Sequence, residues 1–227
     1  MKVLLACEES QAVCIEFRKL GHEAYSNDIQ ECSGGHPEWH LQCDIFEAIN
    51  SRKWDLMIAF PPCTYLSNAG IRWFNEERYG DKARERKVKR LAGMDFVKKI
   101  YNSDIHKICI ENPVGYLNKN FMQPTQIIEP YFFGDEFSKT TCLWLKNLPK
   151  LIHIKNSCLF YNKTHAASKG EMVYSVGKSG ITKGLKKSNS KWYQDAFRLP
   201  ALERAKLRSN TFPGIAKAMA EQWGKES

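Results

Sequence analysis

No stretch of the 227-residue chain reaches about 18 apolar residues, so the sequence offers no membrane-spanning helix. The opening MKVLLACEES turns acidic after seven residues and has no leader-type apolar core, so a cytoplasmic protein is expected. The eight cysteines, at 7, 14, 32, 43, 63, 109, 142 and 158, lack the close repeated spacing of a disulfide framework. Cys109 in KICI and Cys142 in TTCLWL lie inside apolar runs, where cysteine acts as a small core residue, and reduced thiols are expected. There is no internal repeat and no acidic excess. Thirty-four Lys and Arg against 25 Asp and Glu give a net charge of +9. Most of that excess is local: residues 150–198 hold ten Lys or Arg against Glu171 and Asp195, interleaved with Phe160, Tyr161, Tyr174, Trp192 and Tyr193. Such a segment is either a surface for a polyanion or a solvated lysine-rich appendage.

What is present reads as one α/β core. MKVLLAC is a buried first strand, and Ser10 caps a helix whose apolar face holds Val13, Phe17 and Leu20 and which stops at Gly21. HEAYSNDI is a second strand ending in Asp28. A third strand precedes Cys43-Asp44-Ile45-Phe46, and DLMIAF is the fourth. A charged helical stretch follows over 76–102, then KICIEN and KTTCLWL as fifth and sixth strands. Continuous apolar strands alternating with helices predict a Rossmann-like, doubly wound, mostly parallel sheet with a small basic insertion. The expected organisation is a core over 1–149, a basic lobe over 150–199 and a segment 200–227 returning to the core. In that last segment, FPGIAKAMAEQWG forms a helix with Ile215, Met219 and Trp223 on one side.

Ligands of such sheets bind beyond the carboxyl ends of the strands. Glu8, Asp28, Asp44, Cys63 and Glu111 all fall there. Asp28 comes about 20 residues after Glu8, where an acidic residue accepts hydrogen bonds from ribose hydroxyls. Asp44 repeats the arrangement one strand on, and the two together suggest an adenosine-like ligand. In AFPPCTYLS, Pro61 and Pro62 end the fourth strand and stiffen the turn that carries Cys63. Cys63 is either a small hydrophobe at a loop base or a thiol aimed at a substrate. Glu111 leaves a buried strand, which is costly for a carboxylate without a partner or a task. A nucleophilic thiol beside a proton-managing carboxylate at neighbouring strand ends would suit one substrate ring.

AFPPCTYLS, ENPVGYL and the late FPGIAKAMAEQWG, in this order and rough spacing, resemble the C5-cytosine DNA methyltransferase family, closest to its short, phage-type members. The resemblance covers most of residues 1–145 and 208–224. It implies a methyltransferase-type fold and methyl transfer from S-adenosylmethionine to C5 of cytosine. Cys63 would form a covalent bond to C6, and Glu111 would hydrogen-bond N3 and the exocyclic amine. It implies cofactor contacts at Cys7, Glu8, Ser10, Asp28, Asp44, Ile45 and Phe60. Substrate contacts would fall at Thr64, Ser67, Asn112, Lys139 and Thr141, with Lys183, Lys186 and Lys187 on the DNA backbone. The partner would be duplex DNA with the target base flipped out, met by a monomer without a metal, in a bacterial host cell if the protein is phage-encoded.

The chain departs from the family at several places. Ala6-Cys7-Glu8-Glu9-Ser10-Gln11 replaces a Phe-x-Gly-x-Gly-Gly motif, Thr64 replaces a Gln, and Glu-Asn-Pro replaces Glu-Asn-Val. SKTTCLWL stands where the family has Gln-x-Arg-x-Arg; Lys139 and Thr141, alternating onto one strand face, are the nearest substitutes. The large target-recognition region is missing. The same chemistry on RNA or a free cytosine nucleotide, and a non-catalytic nucleic-acid-binding relative, remain alternatives. Cys32, His36, His40 and Cys43 form a rival zinc-like set, although their spacing fits no common finger.

Overall fold

The structure, a computed structural model, describes residues 1–153, 167–176, 184 and 186–225. The chain divides into two compact units. One comprises Met1–Ile128, Thr140–Leu151 and Met219–Ser227, the other Glu129–Lys139 and Ile152–Ala218.

The first unit is built on a seven-stranded sheet. Its strands are β1 (Lys2–Ala6), β2 (Glu23–Asp28), β3 (His40–Gln42), β4 (Leu56–Ala59), β5 (Lys107–Pro113), β6 (Gln126–Ile128) and β7 (Thr141–Lys146), in spatial order 3-2-1-4-5-7-6. Strands β1 to β5 are parallel, and β7 runs antiparallel to both β5 and β6. This is the Rossmann-like, mostly parallel sheet expected from the sequence. β6 was not anticipated: three residues carry no periodic signal, and β6 exists because it pairs with β7.

Alternation along the strands divides the core. Leu4, Ala6, Met57, Ala59, Ile108, Ile110 and Trp144 pack with Ile45 and Ala48 of α2 (Ile45–Asn50), Val97 and Ile100 of α4 (Asp81–Tyr101) and Leu117 of α5 (Leu117–Asn120). Val3, Leu5, Leu56, Ile58, Cys109 and Leu143 alternate onto the opposite face and are equally buried, as are Val13, Cys14 and Phe17 of α1 (Ala12–Lys19). Leu20, expected on that helix's apolar face, is its half-exposed C-cap. The expected helix over 76–102 is two, α3 (Glu76–Tyr79) and α4, because Gly80 breaks it at φ 50°. Among the described residues no helix is long and apolar enough to cross a membrane.

The second unit contains a hairpin of β8 (Met172–Val176) and β9 (Lys186–Ser190), followed by α6 (Lys191–Asp195) and α7 (Ala201–Ser209). The rings of Phe137, Trp192 and Phe212 meet at 5.2–5.9 Å. Gly214 lies so close to the Phe133 carbonyl that a Cβ would come within 2.3 Å of it, and its N–H donates to Asp135 at 2.9 Å. The last helix, α8 (Pro213–Trp223), begins at the Pro-Gly pair as expected, and the boundary between the units falls within it.

Candidate active site

The sheet reverses its winding between β1 and β4, and the two strand ends there are joined by one further bond, Phe60 N to Ala6 O at 2.9 Å. Just past β1 the chain turns through Cys7 at φ 58° and enters α1 through Gln11 at φ 59°. Both are left-handed conformations that favour glycine and cost other residues roughly 1–2 kcal/mol. The chain lacks the glycines but keeps backbone of the kind they permit. Gln11 is held there by its side chain: Nε2 donates to Ser26 Oγ (3.1 Å) and His36 O (2.8 Å), and Oε1 accepts from His36 N (3.0 Å). Gly34 packs on this turn so closely that a Cβ would lie 2.5 Å from Gln11 Cβ.

The expected cap of α1 is corrected. Gln11 occupies the N-cap position, and Ser10 Oγ reaches only Ala12 N, at 3.5 Å. The N–H groups of Val13 and Cys14 instead donate to the Glu8 carboxylate, at 2.6 and 3.2 Å. Glu8 is 4% exposed; burial outweighs those two bonds and raises its carboxyl to about 8. Asp28 at the end of β2 accepts from Gln30 N, and Asp44 caps α2 through Phe46 N. Burial first, and then the negative fields of Asp28 and Asp44, push the Cys7 thiol up to about 12. The two acids therefore lie near the same turn. Ile45 is buried in the core beside Asp44, and Phe60 is half-buried past β4.

Cys63 and Glu111 are carried by neighbouring parallel strands, since Ala59 of β4 pairs with Ile110 of β5. Their loops interlock. Asn112 Nδ2 donates to Pro61 O at 2.8 Å, Ser67 and Gly115 form a bridge, and Tyr116 N donates to Leu66 O at 2.7 Å. Gly115 is required by contact: a Cβ there would sit 2.0 Å from the Leu66 carbonyl oxygen. The turn from Cys63 is closed by Leu66 N and Ser67 N, both donating to Cys63 O. Cys63 and Glu111 are partly exposed, Thr64 is exposed, and Asn112 is 1% exposed with a buried Oδ1 that has no partner among the described residues. By contrast, burial raises the thiols of Cys14, Cys43, Cys109 and Cys142, which withdraws them from thiolate chemistry. The charge of Glu111 adds to the effect at Cys109 and Cys142.

Other expected site residues lie differently. Thr141 opens β7, pairs with Pro113 and is buried, but β7 starts there, so Lys139 is not its strand neighbour. Lys139 belongs to the second unit, where its Nζ reaches Asn210 O at 3.4 Å. Lys183 lies outside the described residues, as do the side chains of Lys186 and Lys187; the backbone of those two forms the start of β9. His40 bonds Ser26 Oγ and Gln30 O, and His36 stacks on Trp39 at 3.8 Å. Among the described residues no group of three His, Cys, Asp or Glu is set to hold a metal.

One feature of the site escaped sequence reading. Arg90 stacks on Phe74 at 3.2 Å, lies 4.8 Å from the Tyr116 ring and donates to Tyr65 O, while Arg86 stands over Tyr65 and Phe74 at 5.0 and 5.2 Å. Burial lowers the Arg90 guanidinium. The signal was a basic helix start after an aromatic loop, but only folding brings Tyr116 to it.

Sheet order and strand polarity define the class of fold, a Rossmann-like α/β domain with acidic residues and a Cys–Glu pair at its carboxyl edge. No family model matches the chain, and no curated protein matches it. Among solved structures it is similar to a candidate DNA modification methyltransferase encoded within an E. coli prophage, at 12% identity and a TM-score of 0.41. The match covers 64% of this chain and 46% of that one, so the chain spans less than half the length of that structure.

Proposed function

We propose that the protein is an S-adenosylmethionine-dependent DNA methyltransferase acting on C5 of cytosine. The observation that carries this reading is the interlock of the two loops, Asn112 on Pro61 and Gly115 against Ser67 and Leu66, which holds Cys63 and Glu111 at one edge of the sheet. Cys63, as thiolate, adds to C6, and the ring's electron density moves toward C5. Glu111 hydrogen-bonds N3 and the exocyclic amine, meeting the developing charge with a group already in position. The cofactor, when bound, supplies an electrophilic methyl group at C5. Loss of the C5 proton and departure of the Cys63 thiolate then restore the double bond. Thr64, Ser67, Asn112 and Thr141 would contact the substrate.

The residues at the β1 turn fit this cofactor. Asp28 offers acceptors for ribose hydroxyls and Asp44 an acceptor for the exocyclic amine of adenine, and Cys7, Ser10, Ile45 and Phe60 would complete the cofactor contacts. Glu8 adds a second argument. A dinucleotide seats its pyrophosphate on the N-terminus of the first helix. Here the Glu8 carboxylate already occupies Val13 N and Cys14 N. S-adenosylmethionine has no phosphate to seat there. Turning a base out of the duplex costs a few kcal/mol, and basic groups that grip the backbone offset it. Arg86 and Arg90, which meet Tyr65 on the Cys63 loop, and Lys183, Lys186 and Lys187 in the basic lobe, are suited to that work.

The test is transfer of label from tritiated cofactor to duplex DNA, tRNA and dCMP. Duplex DNA is expected to take the label, and duplex containing 5-fluorocytosine to become covalently attached to the wild type. Cys63→Ala should bind cofactor yet transfer less than about a tenth of the wild-type label and trap nothing. Retention of more activity than that rejects Cys63 as nucleophile. Label in tRNA or dCMP alone moves the same chemistry to another substrate.

A further inference from the structure

The second unit holds a cavity of about 240 Å³ whose walls include Glu136, Phe137, Gly170, Ser190, Lys191 and Trp192. None of these belongs to the site described above. Two of them carry buried polar atoms with no hydrogen-bond partner among the described residues, Oγ of Ser190 and Nε1 of Trp192, and Ser190 is only 6% exposed. An unsatisfied buried donor costs roughly 1–3 kcal/mol, so two beside one cavity call for an occupant that satisfies them.

The chemistry of the walls constrains that occupant. An indole N–H can only donate, so the occupant presents an acceptor. The Glu136 carboxylate in the wall only accepts when ionised, so an occupant with N–H groups on that side matches it. Glu171, also in the wall, is already paired with Lys191 at 2.6 Å. Trp192 and Phe137 give an aromatic wall, their rings 5.9 Å apart and nearly perpendicular. Part of the wall is shaped by close backbone approach: Gly170, at φ 71°, leaves no room for a Cβ, which would sit 2.1 Å from Glu136 O. The volume lies below the roughly 300–1,000 Å³ of clefts for drug-sized ligands, so the occupant is a small planar ring system.

We propose that this cavity receives one unpaired nucleobase, with guanine the best match. N1–H and the N2 amine place two donors on one edge for Glu136, and O6 and N7 are acceptors for the Trp192 N–H and the Ser190 hydroxyl. The ring stacks against the aromatic wall, and Lys169 supplies positive charge for the attached phosphate. The inference rests on the cavity alone and stands whether or not Cys63 is a nucleophile.

Calorimetric titration of the full chain with GMP, AMP, CMP and UMP tests it, followed by a short single-stranded oligonucleotide containing a single guanine and by the same oligonucleotide in a duplex. GMP should bind saturably and more tightly than the others. Trp192→Phe, which keeps a ring and removes the N–H, and Glu136→Gln should each weaken GMP about tenfold. A single strand that binds more tightly than GMP identifies a nucleic-acid strand as the source of the base, and equal affinity identifies a free nucleotide; both support the site. Glu136 is on the surface, so its variant decides the matter if Trp192→Phe lowers the thermal midpoint. No saturable binding of GMP or single strand, binding untouched by Glu136→Gln, or binding of the paired duplex only overturns the proposal.

Discussion

At the scale of single residues, Glu8 has a structural role at the start of α1. A buried carboxylate that accepts two backbone N–H groups neutralises the start of α1, and burial still favours its protonated form, at about 8 against the ordinary 4.5. The native state therefore holds a proton that the unfolded chain releases between pH 4.5 and 8. This contribution to stability is complete below the unfolded value. It declines as pH rises across that window and is lost once pH passes the folded value. Gln at position 8 is neutral throughout. Urea midpoints of Glu8→Gln should fall less steeply than those of the wild type over this pH range; equal slopes would place the titrating group elsewhere.

At the scale of elements, the junction of the two loops is the most constrained part of the candidate site. Backbone bonds tie Leu66 and Ser67 to Gly115 and Tyr116, a side-chain bond ties Asn112 to Pro61, and the whole is closed where no Cβ fits. Gly115→Ala should therefore push the Cys63 loop from β5. Methyl transfer should fall at least tenfold while cofactor affinity changes little, because a small misplacement at a reacting centre is costly in rate. Titration with S-adenosylhomocysteine beside a transfer assay checks this. Unchanged turnover would mean that the two loops tolerate separation and that their interlock is not what positions Cys63.

At the scale of the whole molecule, the argument concerns charge. The excess in 150–198 belongs to a segment whose described part builds the second unit, and a second cluster lies along the start of α4. If Lys183, Lys186 and Lys187 neutralise phosphates, replacing all three with Gln should weaken binding alike on unrelated duplexes. The slope of log affinity against log salt should flatten by roughly 0.9 for each lost contact. A salt titration on two unrelated sequences measures this, and an unchanged slope means that these lysines meet no phosphate. A change in which cytosines are modified would instead mean that the lobe reads bases.

Much of the sheet was legible because its strands are continuous apolar runs, and the turn to Cys63 because paired prolines leave the backbone few choices. Those local signals also put Glu8, Asp28, Asp44, Cys63 and Glu111 at strand ends, and they follow from the chain alone. What folding decided is which of these groups meet and which are consumed. Ser10 looked like a cap because hydroxyls commonly serve as one, yet a carboxylate arriving from β1 took the helix N–H groups. The glycines of the family's first motif are absent, yet side-chain bonds from Gln11 to Ser26 and His36 hold a left-handed backbone without them. β6, the Arg90 stack on Phe74 and the meeting of Gly115 with Leu66 depend on long-range pairing between segments that carry no local sign of one another. Contacts of that kind arise only when the sheet is assembled, and the sequence contains them solely through the fold it makes.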